Sequence, residues 1–355
     1  MRSRLTIQTI DLHAGGEPLR LVTAGYPPLP HAPILDRRRW VRDHADHVRR
    51  TICWEPRGHR DMYGAVLLPP WRDDADYAVL FMHNEGYSTM CGHGIIALTA
   101  GLIEEGIVPA VAPETVIRFE TPAGLVVSAA PVSAHEGTEV VDEVRFRNVP
   151  SYLAARDLAL RPDGVALAGA AAARGSLSVD LGFGGAYYGI VDAAELGLRV
   201  VPEATEALTR AGAAITEVLR RDHSPEHPEA DDLGFVYGTI IVDRDPATSP
   251  DGLARDADIR NVTVFADAEV DRSPCGTGTS ALLARGWALG ELGLGSEIAN
   301  ASLTGAVFRG RIEAETDIAG IPAIVPSIAG QGYVTGYHTF VVDARDQLGG
   351  GFLLR

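Results

Sequence analysis

Two cysteine segments, far apart in the chain, share one local pattern. Residues 90–94 read MCGHG and residues 271–281 read DRSPCGTGTSA. Glycine follows each cysteine at the first and third positions and alanine at the sixth, while phenylalanine and glutamate precede it by ten and six positions. Each cysteine also opens a run with helical character. A repeat spaced this widely predicts two similar halves, each with a cysteine at the start of a central helix, rather than a solenoid of short repeats.

The remaining patterns predict an α+β fold. Two helical segments are apolar nearly all round, which is typical of buried helices, and a third is amphipathic. Short β-branched runs bounded by Pro and Gly read as strands, and they do not alternate with helices as in a dinucleotide-binding sheet. The segments with helical spacing are residues 36–50, 95–103, 204–221 and 279–292.

Length and composition are those of a globular protein with two domains. The 355 residues can bury two cores, and hydrophobic and charged residues make up 46% and 22% of them. Pro150 and Ser151 mark the expected boundary, which gives lobes of residues 1–150 and 151–336. No apolar run reaches the roughly 18 residues that span a membrane, and the strand-like start lacks a signal-peptide block. We therefore expect a cytoplasmic protein with no membrane partner.

The charged residues argue against several functions. The net charge is −16 and the pI is about 5.1, whereas nucleic-acid binding needs a basic face. All 31 basic residues are arginines, so the chain can form neither a pyridoxal-phosphate Schiff base with lysine nor a Walker A loop. Three cysteines do not make a disulfide framework, and no HExxH or CxxC pattern indicates a metal. We predict no cofactor, no metal and no nucleic-acid partner.

The glycine-flanked cysteines suggest acid–base chemistry next to a carboxylate. A helix N-terminus lowers the pKa of a thiol from its usual value of about 8.5, and the glycines leave backbone amides open to an anion. Two such helix starts facing one cleft would hold a carboxylate and stabilise the carbanion formed when the adjacent α-hydrogen is removed. One thiolate would take the proton and the opposite thiol would return one, which inverts the carbon.

Other interpretations of these residues stay open. A single cysteine of this kind is more often a small core residue, as we expect for Cys53, although two matched copies favour catalysis. A cysteine hydrolase would use Cys91 or Cys275 with a distant histidine, and a binding protein would need the helix ends but no thiols. Asp271 could cap the following turn or pair with a substrate ammonium. His93 could act through its ring or, as the glycine-flanked helix start favours, through its backbone N–H.

The motifs resemble those of the proline racemase superfamily. Besides the two cysteine segments, the resemblance rests on GGEP at 15–18, EPRGH at 55–59, MYGA at 62–65 and GGAYY at 184–188, which follow in order through most of the chain. It implies a diaminopimelate-epimerase-like fold of two pseudo-symmetric lobes, each a β-sheet curled around a central helix. It also implies that the end of the chain, from about residue 337 to 355, returns to the first lobe.

The resemblance further implies roles for individual residues. Cys91 and Cys275 would be the catalytic acid/bases, and Asp271 would bind the ring nitrogen of the substrate. His227, in a His-Pro pair, would line the pocket. The backbone amides that would hold the substrate carboxylate are those of Gly92, His93, Gly276 and Thr277. The expected partner is a small molecule, proline or a hydroxyproline, and a homodimer is the default assembly.

Members of this superfamily catalyse different reactions, and the sequence has features of two branches. Racemases and 4-hydroxyproline epimerases have two cysteines, as here, whereas the trans-3-hydroxyproline dehydratases have threonine at the second position. The residues around both cysteines nevertheless resemble the dehydratase branch. Because inversion needs an acid on the opposite face, Cys275 leads us to predict racemisation or epimerisation of proline or 4-hydroxyproline. The alternative is dehydration of trans-3-hydroxy-L-proline to pyrroline-2-carboxylate.

Overall fold

The computed structural model describes residues 4–135, 138–245 and 256–354. The helices are α1 (Ile34–His44), α2 (Asp46–Cys53), α3 (Gly92–Glu104), α4 (Gly169–Arg174), α5 (Thr205–Asp222) and α6 (Gly276–Ala288). The strands are β1 (Arg4–Ala14), β2 (Glu17–Ala24), β3 (Tyr63–Leu68), β4 (Tyr77–His83), β5 (Glu114–Thr121), β6 (Gly124–His135), β7 (Thr138–Val141), β8 (Val144–Arg147), β9 (Tyr152–Leu160), β10 (Leu177–Phe183), β11 (Tyr187–Asp192), β12 (Val236–Asp243), β13 (Ile259–Phe265), β14 (Glu269–Asp271), β15 (Glu297–Ala301), β16 (Val307–Ile318), β17 (Ile321–Gly330) and β18 (Gly332–Asp343). None of the helices in these ranges is long and apolar enough to cross a membrane.

The first compact unit comprises Met1–Phe146 and Gln331–Arg355. In its sheet, β1 pairs antiparallel with β18 and with β2, and β2 is parallel to β3. The sheet continues with an antiparallel pair β3–β4, a parallel pair β4–β5 and an antiparallel pair β5–β6. Helix α3 contacts β1 and β18 at one end of this order and β6 and β7 at the other. The sheet therefore curls around α3, whose residues from Gly92 to Ile103 are all buried.

The second compact unit is Arg147–Gly330. Its sheet begins with the antiparallel pairs β9–β10 and β10–β11, followed by the parallel pair β11–β12. An antiparallel pair β12–β13 and a parallel pair β13–β15 follow, and β15, β16 and β17 complete the sheet in antiparallel order. Helix α6 contacts β9 and β10 at one end and β16 and β17 at the other, while α5 packs on β12 and β13.

The two units repeat one pattern of strand pairing. From β1 to β6, and again from β10 to β16, the successive pairs are antiparallel, parallel, antiparallel, parallel and antiparallel. In each unit the central helix lies between the fourth and fifth strands of this series, preceded in the second unit by the short strand β14, and it begins directly after a cysteine. The predicted α+β architecture, two similar lobes with a sheet curled around a central helix, is confirmed.

Some predicted boundaries differ from the observed ones. The segment 36–50 forms two helices, α1 and α2, because the backbone leaves helical geometry at Ala45. The second central helix begins at Gly276 rather than at 279. The residues of its first turn are poor helix formers, which favoured a later start, but the Cys275 side chain caps this turn. Contacts divide the chain after Phe146 and after Gly330. That residues 1–150 and 151–336 are the two domains stays a prediction.

Candidate active site

In the first lobe, Cys91 caps the N-terminus of α3. Its backbone is extended (φ −146°, ψ 111°), and its Sγ accepts a hydrogen bond from the Gly94 amide at 3.2 Å. A Cβ on Gly94 would lie 2.4 Å from the Phe81 ring and 3.0 Å from Sγ, so only glycine fits. Cys91 as a whole is 5% exposed. The sequence pattern therefore places a nearly buried sulfur at the positive end of a helix dipole.

The His93 ring lies against the Cys91 thiol. Its Nδ1 is 3.2 Å and its Nε2 is 3.7 Å from Sγ. The ring is buried and packs edge-to-face on Tyr63, with 4.9 Å between centroids, and the Tyr63 hydroxyl is hydrogen-bonded to Ser88. The sequence favoured a role for the backbone N–H of His93 alone, whereas the structure also puts a proton-carrying side chain within reach of the sulfur.

In the second lobe, Cys275 caps α6 in the same way. Its Sγ accepts a hydrogen bond from the Gly278 amide at 3.3 Å and lies 3.5 Å from the Thr277 hydroxyl. A Cβ on Gly278 would lie 3.1 Å from Sγ and 3.1 Å from Ile240, which again favours glycine. Unlike Cys91, Cys275 has a positive φ of 61°.

Burial and a nearby carboxylate set the protonation state of Cys275. Burial, followed by the charge of Asp271, raises the pKa of the thiol to about 12, although hydrogen bonds from Thr277, Thr263 and the Gly278 amide oppose this rise. The lowered thiol pKa that we expected from the helix N-terminus is therefore wrong for Cys275, because loss of solvation outweighs the dipole. This thiol is protonated at neutral pH.

Asp271 lies at the end of β14, one turn before the cysteine. Its Oδ1 accepts a hydrogen bond from the Ser273 amide at 2.8 Å, so it caps the local turn, one of the two roles that the sequence left open. Burial raises the pKa of its carboxyl to about 6, and hydrogen bonds to Ser273 and Cys275 oppose this rise. The carboxyl is thus mostly ionised at pH 7 and is also able to attract an ammonium.

Tyr188, which the sequence did not single out as a site residue, is linked to the Cys275 thiol through Thr277. Its hydroxyl lies 2.7 Å from the Thr277 Oγ1, and burial raises the pKa of the phenol well above its usual value. The signal for this residue was its place in the segment 184–188, where GGAYY enters a buried strand.

His227 lies in an aromatic cluster of the second lobe. Its ring packs on Phe183 at 4.8 Å and on Tyr187 at 6.4 Å between centroids. Its Nδ1 accepts a hydrogen bond from the Glu229 amide at 3.3 Å, and burial lowers the pKa of the ring. The neutral imidazole therefore carries its proton on Nε2. The Tyr187 hydroxyl, 2.5 Å from that of Tyr152, closes the cluster.

The first turns of α3 and α6 hold the backbone amides that were expected to bind the substrate carboxylate. The amides of Gly94 and Gly278 bind the thiols, and the expected ones, on Gly92, His93, Gly276 and Thr277, lie in the same turns, at the end of a helix that attracts anions. Within the described ranges, no group of three or more His, Cys, Asp and Glu side chains could hold a metal ion.

Comparison with known proteins identifies the family. The family description "Proline racemase" matches residues 9–353. The chain belongs to the proline racemase family. It therefore belongs to an enzyme family of epimerases and racemases, in which the dehydratases are relatives with a related activity.

Two curated relatives and one solved structure specify the similarity to other family members. The chain is 39% identical over 357 residues to a 3-hydroxyproline 2-epimerase from Burkholderia multivorans, covering 100% of both chains. It is 40% identical over 346 residues to a trans-3-hydroxy-L-proline dehydratase from Bacillus cereus, covering 98% of this chain and 97% of the relative. A hydroxyproline epimerase from Agrobacterium vitis, with bound trans-4-hydroxy-L-proline, superposes with a TM-score of 0.88 and 31% identity, covering 100% of this chain and 96% of the other.

Proposed function

We propose that this member of the proline racemase family inverts Cα of a hydroxyproline by a two-base mechanism without a cofactor. The observation that carries the proposal is the matched pair of helix-capping cysteines. Cys91 and Cys275 each accept an amide hydrogen bond from the glycine three residues later, in two lobes with the same strand pairing. Two thiols in equivalent positions are what inversion requires, since a single base returns a proton only to the face from which it took one.

The proton transfers balance over one turnover. With one enantiomer, the Cys91 thiolate removes the Cα proton and becomes a thiol, and the electron pair of the broken C–H bond stays on the substrate as an enolate-like carbanion. The Cys275 thiol then gives its proton to the opposite face and becomes a thiolate. The first-turn amides of both helices would hold the carboxylate and stabilise the charge that develops on it. The other enantiomer runs the same steps in reverse.

The surroundings of the two thiols suit these roles in the unliganded enzyme. Cys275 is protonated at neutral pH because of burial and the Asp271 charge. When the ammonium of the substrate pairs with Asp271, that charge is partly neutralised and one cause of the high thiol pKa is removed. Binding would therefore ease loss of the proton from Cys275 at the moment when the carbanion needs it.

The names of the relatives favour a hydroxyl at ring position 3. Several relatives at 38–40% identity are named for 3-hydroxyproline, whereas the structure with bound trans-4-hydroxy-L-proline is 31% identical. We therefore propose 3-hydroxyproline as the preferred substrate, in place of the proline or 4-hydroxyproline that the sequence suggested. Inversion of trans-3-hydroxy-L-proline at Cα would give cis-3-hydroxy-D-proline.

Dehydration of trans-3-hydroxy-L-proline is the second candidate, because several relatives are named dehydratases. In that reaction one base takes the Cα proton, the electron pair forms a Cα–Cβ double bond, and the 3-hydroxyl leaves as water after receiving a proton. The resulting enamine becomes pyrroline-2-carboxylate. The reaction needs one Cα base and a proton donor for the 3-hydroxyl, so it does not require a second thiol on the opposite face of Cα.

Separate incubations with L-proline, trans-4-hydroxy-L-proline and trans-3-hydroxy-L-proline in D2O test the proposal. We expect the Cα-inverted, deuterated product from the 3-hydroxy substrate at the highest kcat/KM, identified by chiral chromatography and mass spectrometry. Pyrroline-2-carboxylate as the sole product would replace inversion by dehydration. Faster inversion of either other substrate would overturn the choice of ring position. No reaction with any of the three would overturn the proposed function.

A further inference from the structure

The peptide group between Pro274 and Cys275 is held at both ends by side chains. Its carbonyl oxygen accepts hydrogen bonds from Asn261 Nδ2 at 3.1 Å, from Asn300 Nδ2 at 3.2 Å and from Thr279 Oγ1 at 3.2 Å. The Cys275 amide at the other end donates to the Ser273 hydroxyl at 3.1 Å. A carbonyl oxygen has two lone pairs, so three side-chain donors on one oxygen are more than ordinary satisfaction of a buried group requires.

The three donors come from three different elements. Asn261 lies on β13, Asn300 on the neighbouring parallel strand β15, and Thr279 on α6. All three are fully buried, and Asn300 Nδ2 also donates to Thr279 Oγ1 at 2.8 Å. The Oδ1 atoms of both asparagines are buried without a partner in the described part of the chain. Two buried oxygens without hydrogen bonds destabilise the fold. We interpret the presence of both asparagines as serving the hydrogen bonds that their Nδ2 atoms donate to the Pro274 carbonyl.

The cysteine that follows has an unfavourable backbone conformation. Cys275 has φ 61° and ψ 102°, a region that residues with a Cβ rarely occupy unless the surrounding structure enforces it. Cys91 caps its helix with φ −146° and needs no such enforcement. The direction in which the Cys275 Sγ points depends on this φ angle, and the orientation of the Pro274–Cys275 peptide sets that angle.

We infer that Asn261, Asn300 and Thr279 form a carbonyl clamp that aims the Cys275 thiol at Cα. The inference rests on the proposed function, in which Cys275 is one of the two acid/bases. The clamp residues are positioning residues, because they act through the Pro274–Cys275 peptide. If the clamp is loosened, the peptide can rotate toward an ordinary conformation and Sγ moves away from the reacting carbon, where displacement by a fraction of an ångström already slows proton transfer.

Kinetics of clamp variants test this role against a merely structural one. We expect Asn261→Leu/Asn300→Leu to lower kcat for inversion at least about tenfold with KM within about twofold. Exchange of the Cα proton for deuterium, measured with the enantiomer that Cys91 deprotonates, should stay within about threefold of wild type. Thr279→Val should lower the ratio of inversion to exchange, and Thr279→Ser, which keeps the hydroxyl, should restore it.

Asn148→Leu is the matched control. Asn148 is also buried in this lobe, has an unpartnered Oδ1, and donates to the Gly184 carbonyl at 2.8 Å and to the α6 residue Ser280 at 2.9 Å. Its loss should lower the melting temperature without changing the ratio of inversion to exchange. A clamp variant that keeps the wild-type ratio, or that loses both activities in proportion to its loss of folded protein, would overturn the clamp.

Two further measurements separate the clamp from the proposed function. If Cys275→Ser inverts the substrate at the wild-type rate, the two-base proposal fails whatever the clamp does. Alkylation by iodoacetamide, mapped by mass spectrometry, then tests the clamp without turnover. The ratio of modification at Cys275 to that at Cys91 should rise at least about threefold in the double variant, as the thiol gains solvent, and stay constant in Asn148→Leu. An unchanged ratio in the double variant contradicts the clamp.

Discussion

Cys91 and Cys275 occupy equivalent positions in two lobes of the same topology, yet their neighbours differ. Two residues after Cys91 stands an imidazole with Nδ1 3.2 Å from the sulfur, and two residues after Cys275 stands a hydroxyl at 3.5 Å. Cys91 has an ordinary extended backbone, whereas Cys275 has a positive φ angle. At Cys275, burial and then the charge of the Asp271 carboxylate raise the pKa of the thiol to about 12.

A repeated fold can therefore supply equivalent positions without supplying equivalent chemistry. An imidazole beside a thiol can take its proton and leave a thiolate, which suits a base. A carboxylate beside a buried thiol keeps it protonated, which suits an acid. We therefore expect the resting enzyme to hold its mobile proton on Cys275 and to accept first the enantiomer that Cys91 deprotonates.

Replacing each cysteine in turn should have the largest effect and separates the two roles. Cys91→Ala should lower every activity by about 10³-fold or more, because it removes the resting base. Cys275→Ala should lower inversion by a similar factor yet retain deuterium exchange, or dehydration, with the enantiomer that Cys91 deprotonates. Chiral chromatography and mass spectrometry in D2O measure both. Equal loss of all activities in both variants would contradict the asymmetry.

Removing the Asp271 carboxylate should remove both the partner of the substrate ammonium and one cause of the high Cys275 pKa. Asp271→Asn should lower kcat/KM about 100-fold by removing the partner of the substrate ammonium. In the wild type, kcat/KM should fall about tenfold per pH unit below the Asp271 pKa of about 6, because the protonated carboxyl no longer attracts the ammonium. This bend in the pH profile of kcat/KM should be absent from Asp271→Asn. Asp267→Asn, on the exposed turn of the same hairpin, should keep it. If the pH profile of Asp271→Asn keeps the bend, a group other than Asp271 causes it.

Exchanging the residue next to the first thiol should have a smaller effect. His93→Thr gives Cys91 the neighbour that Cys275 has. We expect kcat to fall about tenfold and Cys91-dependent exchange to slow equally, since the hydroxyl cannot take the proton of the thiol at neutral pH. Thr277→Ser keeps its hydroxyl and serves as the control in the other lobe. Wild-type exchange in His93→Thr would show that only the backbone of His93 matters.

Alanine at the glycine three residues after each cysteine should produce the smallest difference between the two lobes, and we expect that difference in the free energy of unfolding. Gly94→Ala forces a Cβ to within 2.4 Å of the buried Phe81 ring, whereas the tightest contacts at Gly278 are 3.1 Å. We expect losses of about 3 kcal/mol and about 1 kcal/mol in the free energy of unfolding, respectively. A Cβ on Gly86 meets nothing within 4 Å, so Gly86→Ala is the control. Equal melting temperatures for the first two variants would contradict this difference.

The sequence predicted the cysteines as helix caps because the information is local. Glycine three residues after Cys91 and Cys275 leaves room for the sulfur and supplies the amide that binds it. The resemblance of the motifs also predicted the family and the fold. The contact between the His93 ring and the Cys91 Sγ is local too, but the glycine-rich helix start favoured a role for backbone donors instead.

The features that the sequence did not predict depend on long-range contacts. Tyr188 on β11 reaches Thr277 on α6, and Asn261 and Asn300 meet one carbonyl only because their strands lie side by side. The high pKa of Cys275 has the same origin, since the depth of burial depends on the whole lobe. A helix dipole by itself favours a lowered thiol pKa, and the burial that outweighs it at Cys275 is not encoded in the local motif.

The isotope content of product and remaining substrate during the first few per cent of inversion in D2O tests the two-base account most directly. If Cys91 and Cys275 act on opposite faces, the product carries one deuterium at Cα from the start while deuterium enters the remaining substrate much more slowly, because the proton removed by one thiol is not the one returned by the other. Deuterium that enters substrate and product at equal initial rates would contradict the account and indicate a single base serving both faces.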